Sequence, residues 1–170
     1  MACDISQGRA RGCKDSIGGN SKLFLFNYVE DPFTITAGEA TAINAALTTV
    51  YEFDLVGDGN PFTEEVVSDR NTQTVTNTQT VTAVFNKMDA TTAAEFNALA
   101  KGYPQAVVKD RNGVYHAVGV TDGIDFNISG TTGGAKTDLN GFTIVGTAIE
   151  QDLSPKLDSA TITAFEALIA

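Results

Sequence analysis

Thr72–Phe85 reads TQTVTNTQTVTAVF, in which TQTVT at 72–76 recurs at 78–82 with Asn77 between the copies. The six-residue offset is even, so in an extended chain both copies keep the same parity. Thr72, Thr74, Thr76, Thr78, Thr80 and Thr82 then share one face, while Gln73, Val75, Asn77, Gln79, Val81, Ala83 and Phe85 share the other. The pattern predicts a long strand, or a long hairpin, that is polar on at least one face. Such a Thr/Gln edge invites pairing with other chains unless it is covered. Pairing between subunits is therefore expected ahead of an exposed ribbon on a monomer.

Working outward, Lys22–Val29 (KLFLFNYV) is dense in aromatic and branched residues and is closed by Asp31-Pro32, a strand followed by a breaker. Phe33–Thr36 reads as a second short strand. Residues 38–50, GEATAINAALTTV, leave helix and strand open, because the alanines favour one and the flanking Thr and Val the other. Val50–Val56 alternates in period two and stops at Gly57-Asp-Gly-Asn-Pro61, a set of turn formers.

Downstream, Asp89–Gly102 is the clearest helix, expected over residues 90–101. Asp89 or Thr91 caps its start, Gly102 ends it, and Ala93, Phe96, Leu99 and Ala100 form a narrow apolar stripe. The chain then returns to strands at Ala106–Lys109 and Val114–Val120 around Asn112-Gly113, a strong hairpin signal. Ile124–Ser129 and Gly141–Glu150 follow, with Gly130–Gly134 as a connector. This spacing is that of a mainly β protein, a sandwich or barrel with one packed helix. Residues 1–22 read as an irregular, glycine-rich arm, 23–150 as the core and 151–170 as a C-terminal extension. Ile162–Ile169 in that extension is either a short helix or a docking strand, apolar enough to want a partner or a groove.

The 170 residues suit a single domain, and 42% hydrophobic with 19% charged suits a globular one. Net charge is −10, a sign that repels phosphate backbones and anionic membranes. The charge is uneven: residues 1–22 hold four bases (Arg9, Arg11, Lys14, Lys22) and two acids, whereas 23–170 hold seven bases and 19 acids. No run approaches the roughly 18 apolar residues of a membrane span, and the start has no apolar stretch of a secretory signal. Synthesis in a cytoplasm is expected, where a reducing environment favours free thiols over a Cys3–Cys13 bridge.

Residues that could carry chemistry are sparse. His116 is the only histidine, within a strand pattern and far in sequence from both cysteines, so neither a zinc site nor any other metal site is supported. No Gly-x-Ser-x-Gly elbow marks a nucleophile. Asp54–Asn60 lacks the spacing of a calcium loop, and the Gly18-Gly19 and Gly133-Gly134 pairs lack the context of a phosphate cradle. Glu64-Glu65, or Asp122 with Asp125, might pair as acid and base, but acids are so abundant that proximity is uninformative. No catalytic residue and no cofactor is assigned, and an enzyme is not expected.

The order of these segments resembles bacteriophage tail-tube proteins. The resemblance is carried by YEFDLVGDGNPFTEEVVSDRNTQT from Tyr51, NKMDATTAAEFNALAKGYPQAVVKDRNGVYHAVGVTDG from Asn86, LNGFTIVGTAIEQ from Leu139, and the opening MAC, GR and CKDSIGG phrases. It implies a virion structural protein: six copies closing a ring through a continuous inner β-barrel, rings stacking into a hollow tube, and double-stranded DNA passing without specific binding. Implied partners are other copies of the chain and tail proteins such as tape measure, terminator, baseplate and, in contractile tails, sheath. On that view Thr72, Gln73, Thr74, Thr76, Asn77, Thr78, Gln79, Thr80 and Thr82 line the channel or join subunits. Arg9, Arg11, Lys14 and Lys22 are the expected ring-stacking bases. The terminal extension and the doubled TQTVT depart from the usual subunit. A connector or terminator ring, a capsid decoration protein and a β-sandwich binding module are the alternatives. The last calls for an exposed aromatic platform, which four Tyr and no Trp make weak.

Overall fold

A computed structural model of the chain describes residues 5–170. Eleven strands and two helices follow in the order β1 (Asn20–Phe26), β2 (Phe33–Thr36), β3 (Glu39–Ile43), β4 (Tyr51–Asp54), β5 (Phe62–Asp69), β6 (Thr74–Asn86), α1 (Ala90–Leu99), β7 (Gln105–Asp110), β8 (Tyr115–Val118), β9 (Asp125–Thr131), β10 (Gly141–Glu150), β11 (Lys156–Leu157) and α2 (Ser159–Glu166). They form a seven-stranded sheet, β2-β3-β11-β8-β7-β1-β4, and a four-stranded antiparallel sheet, β5-β6-β10-β9. The protein is mainly β, as its sequence leads one to expect, and is a sandwich: neither sheet closes into a barrel.

The centre of the seven-stranded sheet is covered on both faces, and the sequence of β1 shows why. In Leu23-Phe-Leu-Phe26 the leucines point into the sandwich, with Ala106, Val108, Val81, Ala83 and Ile144. The phenylalanines point the opposite way, with Val107, Tyr115, Ala117 and Phe165 of α2. A strand buried on both sides reads as a continuous apolar run, which is how it differs from one with a wet face. Phe24, Phe26 and Phe33 pack around Phe165 with ring centroids 5.5–6.2 Å apart, within the range of favourable aromatic pairs. Helix α1 closes the sandwich at the opposite side: Phe96 sits among Phe53, Phe85 and Phe142.

One expectation needs correction. Residues 151–170 are not an extension. β11 lies inside the large sheet between β3 and β8, α2 buries Phe165 completely, and Ile169 bridges Val50. The apolar residues that called for a partner or a groove find it within their own chain, and of the two forms left open for Ile162–Ile169 the structure has the short helix. The ambiguous segment 38–50 resolves as the short strand β3 followed by turns, because Ala40 is wanted in the core beneath α2 and tertiary packing overrides the helix propensity of the alanines. Elsewhere boundaries agree closely. Asp89 caps α1 by accepting from the Thr92 backbone N–H, and Gly113, at φ +84, makes the β7–β8 turn.

Candidate functional site

The four-stranded sheet has a different construction. Its inner face, Phe62, Val81, Ala83, Phe126, Phe142, Ile144 and Ala148, packs on the large sheet and α1. Strand register fixes the outer face. Thr63, Glu65 and Val67 of β5 stand beside Thr76, Thr78 and Thr80 of β6. These adjoin Thr143, Val145, Thr147 and Ile149 of β10, which in turn adjoin Asp125, Asn127 and Ser129 of β9. Among the described residues no element covers this face: its central residues are partly exposed and its outer ones exposed. Glu65, Asp69 and Asp125 are its charged members, and no Lys or Arg points from it. Both lateral edges, β5 and β9, are unpaired among the described residues.

The parity read from TQTVTNTQTVT holds through β6: Thr76, Thr78, Thr80 and Thr82 face out, Asn77, Gln79, Val81 and Ala83 face in. Two of the expected lining residues are thereby withdrawn. Asn77 and Gln79 are 0% and 1% exposed. Asn77 Nδ2 donates to Glu64 Oε1 (3.0 Å) and to the Asp152 carbonyl (2.9 Å), and Gln79 Oε1 accepts from Gly119 N–H (3.0 Å). They pair with buried polar groups where the sheet meets its neighbours, as burial favours, and Asn77 Oδ1 alone of their buried atoms has no partner. Thr72 and Gln73 belong to the β5–β6 turn and not to the strand; Gln73 takes φ +56 and its Nε2 donates to the Arg70 carbonyl (2.6 Å). The repeat is thus one strand that begins inside a turn, with Thr74 its first residue.

The hairpin of β5 and β6 also projects. β10 pairs β6 only as far as Asn77, whereas β5 continues to Thr74, so the last residues form a two-stranded finger. Glu64 anchors its root, accepting from Ser154 N–H (2.6 Å) and Ser154 Oγ (3.0 Å) besides Asn77. A lone two-stranded ribbon is marginal in water, and this anchor ties it to the chain that leads into β11.

Arg9, Arg11 and Lys14 lie in an arm without secondary structure, exposed throughout residues 5–18, with Cys13 a free exposed thiol. Cys3 lies outside the described residues. Lys22 is not part of that arm. It sits in β1, its Nζ 2.7 Å from Glu52 Oε1 and 3.7 Å from Asp54 Oδ1, and the hydrogen bond to Glu52 raises its pKa. A cation already paired on its own sheet is a poor stacking contact. The arm ends three residues earlier than expected, at Gly19, and just before that end Ile17 exchanges two hydrogen bonds with Asn112 (2.9 and 2.8 Å).

His116 is a strand residue against Phe62, with Nε2 3.5 Å from Asp110 Oδ2. No group of three or more His, Cys, Asp or Glu among the described residues could hold a metal. Among the described residues no helix is long and apolar enough to cross a membrane. One feature escaped the sequence: Tyr28, Tyr51 and Tyr103 line a groove of about 450 Å³ between α1 and the β4 edge, with Phe53 and Glu95. The three tyrosines are 48–64% exposed. They are too far apart in sequence for any local spacing to have joined them. Compared with known proteins, the chain matches no family model, no curated protein and no solved structure.

Proposed function

We propose that the protein is a non-enzymatic virion structural subunit, a tail-tube protein whose copies join through the four-stranded sheet into hexameric rings that stack around a DNA conduit. The observation that carries the reading is the bare outer face between two unpaired edges. A sheet with β5 free on one side and β9 on the other can pair β5 of one copy with β9 of the next, a heterologous contact that closes when the rotation permits. The wall so formed is threonine-rich, carries Glu65, Asp69 and Asp125 and lacks cations, so DNA meets a hydrated surface with no counterion-releasing contact to hold it. The tape-measure, terminator, baseplate and sheath partners belong to the same proposal, as does residence in a virion tail.

Negative-stain microscopy of the purified protein across a concentration series tests it. Closed rings, alone or stacked into tubes, are the expected result; a strictly monomeric protein at high concentration overturns it. The tyrosine groove favours a second reading, a sandwich module that binds a ligand by ring stacking. Saturable quenching of tyrosine fluorescence by an oligosaccharide, with no assembly, would select that reading.

A further inference from the structure

The molecule has two unlike poles. β1 and β7 place the root of the arm, Asn20 beside Asp110, at one end and Phe26 beside Gln105 at the other. At that far end a groove of about 700 Å³ opens between the inner side of the projecting β5–β6 finger and the β2–β3 hairpin. Ile35, Val66, Val75 and Leu153 line it and are 47–57% exposed, although their face of the finger is the one that elsewhere is core. Glu150 and Asp152 are its charged lining residues, and no base lines it. The arm at the opposite pole is its complement: Ile5 is 95% exposed, and Arg9, Arg11 and Lys14 outnumber Asp15.

We infer that the groove receives the arm of a second copy, with Ile5 among Ile35, Val66, Val75 and Leu153, and Arg9 and Arg11 facing Glu150 and Asp152. This rests on the self-assembly proposed above and names its axial contact. Polarity makes the contact head to tail, and a heterologous contact that does not close propagates without limit. The arm is long enough: the 12 residues from Ile5 to Ser16 span up to about 40 Å when extended. Burial of an isoleucine and four half-exposed apolar side chains supplies the affinity. The charge pairs supply orientation and make the contact weaken with salt. Because Val66 and Val75 lie on the hairpin whose β5 edge is unpaired, the groove is continuous with the proposed lateral interface.

The test uses the full chain with Cys3→Ser and Cys13→Ser, Ser6→Cys beside Ile5 in the arm, and Leu153→Cys in the groove. Mild oxidation is followed by a non-reducing gel and peptide mass spectrometry. The expected result is a ladder of dimers, trimers and higher species joined 6 to 153 between copies. Adding R9E and R11E should abolish the ladder, and adding E150K and D152K to those should restore it. No 6–153 link, a link within one copy, or a ladder indifferent to the charge reversals overturns the inference. Lateral ring formation is scored separately by microscopy: single rings from R9E/R11E protein sustain both the ring and the arm contact, and tubes of unchanged length from that protein overturn the arm contact alone. Absence of rings with an intact ladder overturns the ring and leaves the head-to-tail contact standing.

Discussion

The two sheets of this protein are built from similar β-formers but treat water oppositely. The centre of the seven-stranded sheet spends both faces on its own chain, leucine side to the sandwich and phenylalanine side to α2. The four-stranded sheet spends one, and the other is a threonine field with free edges. The contrast separates what makes the fold from what the fold offers to partners. Apolar residues on alternate positions alone give a wet face, whereas apolar residues on every position demand a second layer. The sequence of β1 requires α2, and the sequence of β6 leaves its outer side open.

Breaking the covered sheet should cost most. Phe165→Ala removes the ring at the centre of the aromatic cluster and is expected to destabilise by about 3–5 kcal/mol in chemical denaturation, with assembly lost only because the fold is lost. Glu64→Ala removes the acceptor that joins Asn77 and Ser154, and about 1–3 kcal/mol is expected from the unpaired donors it leaves. Loosening of the finger should appear as faster amide exchange in residues 66–76, which a change confined to the core would not produce.

The bare face should behave in the reverse way. Thr78→Lys with Thr143→Lys is expected to shift unfolding by under about 1 kcal/mol, since both side chains point outward. Assembled particles carrying the two changes should instead retain DNA in co-sedimentation, with a retention that falls as salt rises. The smallest effect is in acid. Thr161 donors hold Asp158, the α2 cap, below the usual carboxylate range, as Thr92 donors hold Asp89 at α1. A depressed folded pKa gives stability that is present above the ordinary carboxylate pKa and is lost as pH falls through the folded value. Asp158→Asn should therefore flatten the acid limb of the unfolding curve without altering assembly at neutral pH.

Much of this arrangement was legible in the residues. Period-two alternation gave β4 and β6, Asn112-Gly113 gave the β7–β8 hairpin, and the Thr parity through Thr82 gave the outer face. Non-local facts were not legible. Nothing in TITAFEAL says that Phe165 will meet Phe24, some 140 residues earlier, so an internal lid looked like a tail seeking a partner. Asn77 and Gln79 looked like channel residues because polar side chains usually face water; Glu64, Asp152 and Gly119 supply the partners that let them turn inward. Lys22 looked like part of a basic arm until β4 brought Glu52 beside it.

Hydrogen exchange measured on the dispersed and the assembled protein tests most directly whether the four-stranded sheet is the assembly surface. Edge pairing predicts that the free backbone amides of β5 (Phe62–Asp69) and β9 (Asp125–Thr131) slow together on assembly while those of β1 and β7 stay unchanged. Protection that appears elsewhere with β5 and β9 unaltered, or no assembled state at any concentration, would contradict it.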